Sequence, residues 1–260
     1  MNILDLIADY ARIRVENAKK SMPLNKVKEL AFTQKAGDFA FEKAIKQQKM
    51  SFICECKKAS PSKGVIAPDF PYLEIAKEYE AAGAACISVL TEPKWFLGRD
   101  AYLKEIAETV SVPCLRKDFT VDEYMLYEAK LLGASSMLLI CAILSEDKIK
   151  EYIKICDALG MSALVEAHNE AEIKTALRAG ARMIGINNRN LKDFSVNPEN
   201  SRTLRSFIPK DVLFVSESGI SCAEDVNVLK EIGADAVLVG EALMKARNKR
   251  EKLSELRGAL

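Results

Sequence analysis

The segment Phe52–Gly64 reads FICECKKASPSKG and sets an acid, Glu55, two residues before an amine, Lys57, at the end of an apolar run. Side chains alternate faces along a strand, so Glu55 and Lys57 share one face and Cys54 and Cys56 the other. Small and turn-forming residues follow: Ala59, Ser60, Pro61, Ser62 and Gly64. A carboxylate and an ammonium at a strand's carboxyl end, beside such a loop, suit proton transfer next to a bound anion. A structural ion pair is the competing use of the same two residues. The arrangement recurs, however. Other apolar runs end in Lys117 and Asp118 (LRKDF), Glu166 (ALVEAH), Asn187 and Arg189 (GINNRN), Glu217, Ser218 and Gly219 (VSESGI), and Gly240 and Glu241 (VLVGEA). One polar residue in such a place is ordinary, but a series of them describes a ring converging on one mouth. Within it, Asp118 and Glu217 are the candidates for ion pairs that hold the mouth together.

The elements that must carry this ring are strands alternating with helices. Apolar runs place strands near 52–57, 85–90, 113–117, 136–140, 163–166, 183–187, 212–216 and 236–239. Amphipathic stretches place helices near 72–82, 101–109, 122–132, 146–159, 169–179, 198–207, 222–232 and 241–247. Eight alternations without a hairpin signal imply a parallel sheet covered on both faces. Gly83-Ala84, Gly133-Ala134, Gly180-Ala181 and Gly233-Ala234 each close a helix before an apolar run. Their spacing of about fifty residues is two strand–helix units, a repeat that favours a closed (β/α)₈ TIM barrel over an open doubly wound sheet. No GxGxxG follows the first strand, which weakens a dinucleotide reading. Before the barrel, apolar Ile3, Leu6, Ile7, Tyr10 and Ile13 mark a helix over 1–20. Pro23 ends it, a second short helix follows, and Asp38 is expected to cap a third from about Phe39 to Gln48. The expectation is one barrel domain over 1–260, of which 1–50 is a helical extension covering part of the barrel.

Composition narrows the partners. A net charge of +1 over 260 residues offers no global field for nucleic acid or an acidic membrane, so an anion needs a local site. No apolar run reaches membrane-spanning length and no signal-peptide core opens the chain, which leaves the cytoplasm as the expected location. The seven cysteines are odd in number and scattered, so they read as small core hydrophobes rather than disulfides. With a single histidine and no paired Cys motif, no metal site is expected. That anion site is best specified after the last two strands. Ser218-Gly219 and Gly240-Glu241 stand where barrels of this kind hold phosphate on backbone N–H groups, and Lys57 and Ser60 add a charge and a hydroxyl. Tight-turn glycines are the plainer reading of Gly219 and Gly240.

The strings ECKKASPSKG, LRKDF, ALVEAHNE, GINNRNL, VSESGI and VLVGEALM together closely resemble indole-3-glycerol-phosphate synthase, in family order and over nearly the whole chain. The resemblance implies a (β/α)₈ barrel whose early helices partly cover the active face. It implies a carboxy-lyase of tryptophan biosynthesis that needs no cofactor or metal. The substrate would be 1-(2-carboxyphenylamino)-1-deoxyribulose 5-phosphate and the products indole-3-glycerol phosphate, carbon dioxide and water. Lys117 matches the general acid that protonates the attacked carbonyl, and Glu166 the residue that serves dehydration, with Glu55 and Lys57 beside it. Asn187 and Ser218 complete the catalytic set. Arg189 and Glu217 match substrate-orienting positions; Phe96, Phe119, Leu138 and Ile140 match the pocket for the anthranilate ring, with core packing the rival role for the last two. Lys57, Ser60, Gly219, Gly240 and Glu241 match phosphate contacts. Glu241 replaces a small hydroxyl residue of some relatives, and Leu97 a common Gln.

A lysine that acts as an acid near neutral pH must be able to lose its proton, which a crowded site with other cations helps. His168, two residues after Glu166, is a candidate catalytic base by spacing, but it reads as a loop residue because the lysine–glutamate set covers the proton transfers. The expected partner is a small phosphorylated substrate, with neither nucleic acid nor membrane, and the chain is expected to be a monomer or weak homo-oligomer. Two rivals share the phosphate cradle. A phosphoribosylanthranilate isomerase-like barrel should lack the Glu–Lys pair with a second Lys on strand three. A silent phosphate-binding barrel would not need both Lys117 and Glu166.

Overall fold

The computed structural model describes residues 3–190 and 194–258; Leu191, at the end of the GINNRNL string, lies outside them, as do the first two residues of the predicted first helix. Eight parallel strands close into a barrel: β1 Ser51–Cys56, β2 Cys86–Leu90, β3 Cys114–Lys117, β4 Ser136–Ile140, β5 Ser162–Ala167, β6 Met183–Asn187, β7 Leu213–Glu217 and β8 Ala236–Val239. Each strand pairs with its sequence neighbour, and β8 returns to β1 in the register Ser51↔Ala236 to Cys54↔Val239. The strands are buried almost throughout, as a sheet covered on both faces requires. Ile53, Leu115, Leu138, Leu164, Val215 and Leu238 fill the interior. Phe52, Cys54 and Cys56 instead pack outward against the helical layer, the alternation expected of β1. Burial pushes the Cys54 and Cys114 thiols up to about 12, so they stay neutral core groups.

The helices that cover the barrel include α4 Tyr72–Ala81, α5 Asp100–Thr109, α6 Tyr124–Leu131, α7 Glu146–Leu159, α8 Glu170–Arg178, α9 Glu199–Leu204, α10 Ala223–Glu231 and α11 Glu241–Lys245. An additional helix, Lys249–Leu256, was not expected from the pattern, and buries Leu253 and Leu256. A small hairpin, Ala59–Ser60 against Gly64–Val65, shapes the loop after β1.

Three helices precede the barrel: Ile3–Ser21 (α1), Leu24–Thr33 (α2) and Ala40–Lys46 (α3). They divide between its two ends. Leu4 and Ile7 of α1 join Phe119, Leu138 and Ile140 at the carboxyl end. Phe41 and Ile45 of α3 join the residues at the strand starts, and Ser51 Oγ donates to the Ile45 carbonyl at 2.8 Å. The extension therefore roofs one end and plugs the other. Asp38 does not cap α3. Phe39, in the left-handed region at φ 60°, occupies that place, and the Asp38 carboxylate pairs with Lys43 instead.

Candidate active site

A cavity of about 580 Å³ opens at the carboxyl ends of the strands, lined from all eight of them and by α1. Of the sequence-predicted site residues, all line it: Glu55, Lys57, Ser60, Phe96, Lys117, Phe119, Leu138, Ile140, Glu166, Asn187, Arg189, Glu217, Ser218, Gly219, Gly240 and Glu241. The two-residue alternation explains how the strands sort them. In β3, Arg116 points outward to Asp100 and Glu128, at 2.7 and 2.8 Å, while its neighbour Lys117 points inward.

Lys117 stands at the centre of an acidic group. Its Nζ lies 3.3 Å from Glu166 Oε2 and 3.3 Å from Glu217 Oε2. The charges nearest to it are therefore acids, not the cations that would help it lose its proton. Burial works to discharge the amine, but Glu217, Glu166 and Glu55 outweigh it and raise its proton affinity. Burial likewise works to raise Glu166, yet Lys117 and then His168 hold its carboxyl below the usual range. Glu217 behaves oppositely. Burial dominates, Glu166 adds repulsion, and its carboxyl is pushed up to about 7 despite Lys117. Its Oε1 is buried without a hydrogen-bond partner. Two neighbouring carboxylates thus have proton affinities driven apart, the pattern that lets one remain a base while the other keeps a proton.

Glu55 forms a second pair, with Lys57 Nζ at 2.6 Å from Oε1, and Ser88 donates to Oε2 at 3.4 Å. Burial acts to raise Glu55, but Lys57 and Lys117 hold it low. Glycines make room for these carboxylates. A β-carbon on Gly240 would overlap Glu55 Oε1, and one on Gly185 would overlap Glu217 Oε1. Gly185 was missed in the sequence, although it stands inside the GIN segment of β6, in register with Glu166.

The other side of the cavity is built from loops. Ser60 and Ser62 bring their hydroxyls within 3.5 Å of each other. Opposite them, Ser218 and Gly219 hold φ of 69° and 81°. The left-handed region is easy for glycine but strained for serine, and such strain gathers at functional sites. Glu241 turns its carboxylate to Lys245 at 2.6 Å, with Lys63 of the cavity wall 3.7 Å away. Lys63 and Ser221 also line this side, a contribution invisible in the sequence because each comes from a loop rather than a strand end.

Phe96 and Phe119 face each other with ring centroids 6.0 Å apart. The loop carrying Phe96 is tied down by Glu92, whose carboxylate accepts the backbone N–H groups of Lys94, Trp95 and Phe96 at 2.7–3.0 Å. Leu97, next along, does not line the cavity. Asp118 is the structural ion pair expected of it. It accepts both terminal nitrogens of Arg14 from α1, at 3.1 and 2.6 Å, and Thr91 Oγ1 at 2.7 Å, so it moors the roof to the barrel. His168, read as a loop residue, sets its Nε2 3.4 Å from Glu166 Oε1.

Among solved structures, 3-hexulose-6-phosphate synthase from Salmonella typhimurium is similar with a TM-score of 0.65 and 16% identity, over 81% of this chain and 98% of that one, a likeness of fold alone. Two curated proteins, both indole-3-glycerol phosphate synthases, are far more similar. The one from Ruminiclostridium cellulolyticum is 57% identical over 99% of both chains, and that from Endomicrobium trichonymphae is 52% identical over 98% of this chain and 99% of its own. The family model for indole-3-glycerol phosphate synthase matches residues 4–256, from α1 to the last helix. By barrel, cavity and relatives together, this chain belongs to the indole-3-glycerol phosphate synthase family.

Proposed function

We propose how this cavity performs the family's reaction, in which 1-(2-carboxyphenylamino)-1-deoxyribulose 5-phosphate loses carbon dioxide and water to become indole-3-glycerol phosphate. The observation that carries the assignment is Lys117, half-buried, between the buried Glu166 and Glu217 at the carboxyl ends of β3, β5 and β7. Ser60, Gly219, Gly240 and the Glu241 backbone cradle the phosphate, with Lys57 adding charge at its inner edge. Phe96, Phe119, Leu138 and Ile140 receive the anthranilate ring. Arg189, Asn187 and Ser218 orient the sugar between them.

The carboxylated ring carbon attacks C2 of the sugar, and the carbonyl electrons move to oxygen. Lys117 gives that oxygen its proton. An alkoxide is a far stronger base than an amine, so a lysine kept charged by its acidic neighbours can still donate to it. Its charge also attracts the substrate carboxylate before the attack. Carbon dioxide then leaves, and its bonding pair restores the aromatic ring. Dehydration needs a second donor. Lys117 has given up its proton, so Lys57, paired with Glu55, protonates the departing hydroxyl. Glu166 takes the proton from C1 as water leaves, and the double bond of indole forms. Glu217, which burial pushes up to about 7, is placed to return a proton to Lys117.

The same reading makes the enzyme a cytoplasmic monomer or weak homo-oligomer acting on a small phosphorylated substrate. No described helix is long and apolar enough to cross a membrane. The test is Glu166→Gln. Turnover followed by indole fluorescence should fall about 10²–10⁴-fold, as loss of a positioned acid–base group does, with affinity for product nearly unchanged. If affinity collapsed while the rate at saturation survived, Glu166 would be a binding group instead.

A further inference from the structure

We propose that His168 is a positioning residue for Glu166: Glu172 holds its ring from one side, and its other nitrogen secures Glu166 Oε1, leaving Oε2 to Lys117 and the substrate. The proposal rests on the acid–base role of Glu166 given above.

The arrangement begins at the first turn of α8. Asn169 caps the helix, accepting the Glu172 N–H at 3.0 Å, and its amide donates to Glu172 Oε1 at 2.8 Å. The other oxygen, Oε2, accepts the His168 backbone N–H at 2.9 Å and lies 3.0 Å from Nδ1. The imidazole is thereby fixed in place and in orientation. Its Nε2 is buried, has no hydrogen-bond partner, and stands 3.4 Å from Glu166 Oε1. The distance suits an ion pair, and a small turn of ring or carboxylate that aligns the N–H makes it a hydrogen bond.

Both ring nitrogens therefore look at carboxylates. A neutral imidazole has one donor and one acceptor, so it would turn a lone pair on one of them. The imidazolium satisfies both. Burial opposes that charge, but Glu172 and then Glu166 outweigh it and raise the proton affinity of the ring. The charged and polar groups facing Glu166 are Lys117 from β3, Asn187 from β6, Glu217 from β7 and His168 itself. Lys117 and His168 take opposite oxygens of the carboxylate. With one oxygen secured from outside the cavity, the other keeps its aim at the reacting carbon when Lys117 moves its proton. This is how a histidine can affect the chemistry without touching the substrate.

His168 is the only histidine in the chain, so its imidazole resonances in an NMR titration need no assignment. In Glu166→Gln the proton affinity of the ring should fall about tenfold relative to the unaltered enzyme, the effect of losing an opposite charge at this distance. A second pair of variants separates position from charge. An Asn side chain reaches the place of Nδ1 and keeps the bond to Glu172; a Gln side chain reaches the place of Nε2. Single-turnover rate should fall about 10–100-fold in His168→Asn with KM within about threefold, and recover in part in His168→Gln. A cation favours the carboxylate form, so in both variants the acidic limb of the rate profile should move to higher pH. An imidazole that titrates alike in the unaltered enzyme and in Glu166→Gln overturns the proposal. So does an unchanged rate in His168→Asn, or a loss shared equally by both variants with the acidic limb unmoved, which would mark a purely structural histidine. Should Glu166→Gln keep full turnover while the imidazole shifts, the acid–base role of Glu166 is what fails, and the contact stands.

Discussion

Lys117→Met removes the cation shared by two buried carboxylates and keeps the bulk of the side chain. Its effect should be double. As the donor in ring closure is lost, turnover should fall by about 10²–10⁴. Breaking a buried ion pair by deleting one partner costs about 3–5 kcal/mol, because the remaining charge is left in a poor solvent. For a domain of this size that lowers the melting temperature by roughly 6–20 °C. The cost depends on pH with a definite sign. In the unaltered enzyme Lys117 holds the Glu166 carboxyl low, a contribution that is present above the unfolded value of about 4.3 and lost as the pH falls. Without Lys117, burial raises Glu166, and raises Glu217 further, so each destabilises the fold as the pH climbs above that value. The stability difference between the two proteins should therefore be small near pH 4.5 and large at pH 8. Melting curves at both values, with indole fluorescence for turnover and a titration with product for binding, read all three effects. Near-normal turnover would refute the donor role. A difference in stability that is the same at both pH values would refute the electrostatic account of the cavity.

Gly219→Val places a side chain at φ 81°, with its β-carbon only 2.6 Å from Val196 Cγ1. Phosphate-bearing ligands should bind at least tenfold more weakly, while inorganic phosphate competes with substrate in the unaltered enzyme; equal binding by variant and parent would leave Gly219 a turn glycine. Arg14→Met frees the roof helix from Asp118, whose carboxyl burial raises but Arg14 holds low. Since Thr91 and the Phe119 N–H still serve Asp118, the loss should stay below about 3 kcal/mol at neutral pH. KM should rise more than kcat falls, and an unaltered KM would mean that the roof does not help to form the site.

Strand ends were legible because two signals coincide there: an apolar run and the first polar residue after it. Glu55, Lys117, Glu166 and Glu217 fall at such junctions and all reach the cavity. What lay hidden depends on partners distant in sequence. Nothing near Asp118 announces Arg14, 104 residues earlier, and nothing near Lys117 says that its neighbours are acids rather than cations. The role of α3 was hidden for a related reason: an apolar face is visible in its sequence, but not which end of the barrel it seals. Asp38 satisfied the pattern of a helix cap, yet a nearby ammonium on Lys43 and a left-handed Phe39 decided otherwise. His168 carried a legible signal that was outweighed because the lysine–glutamate set already covers the proton transfers. It follows Glu166 by two residues, the spacing that joined Glu55 to Lys57, and precedes Glu172 by one helical turn.

The central claim is that one cavity holds the substrate by its phosphate at the β7–β8 loops and turns its reacting carbons toward Lys117 and Glu166. A crystal structure with indole-3-glycerol phosphate bound tests it most directly. The account predicts phosphate oxygens within hydrogen-bond distance of Ser60, Gly219 and Gly240, the indole ring against Phe96, Phe119, Leu138 and Ile140, and Lys117 and Glu166 beside the carbons newly joined. Product bound with its phosphate elsewhere, or with its ring turned away from Lys117, would contradict it.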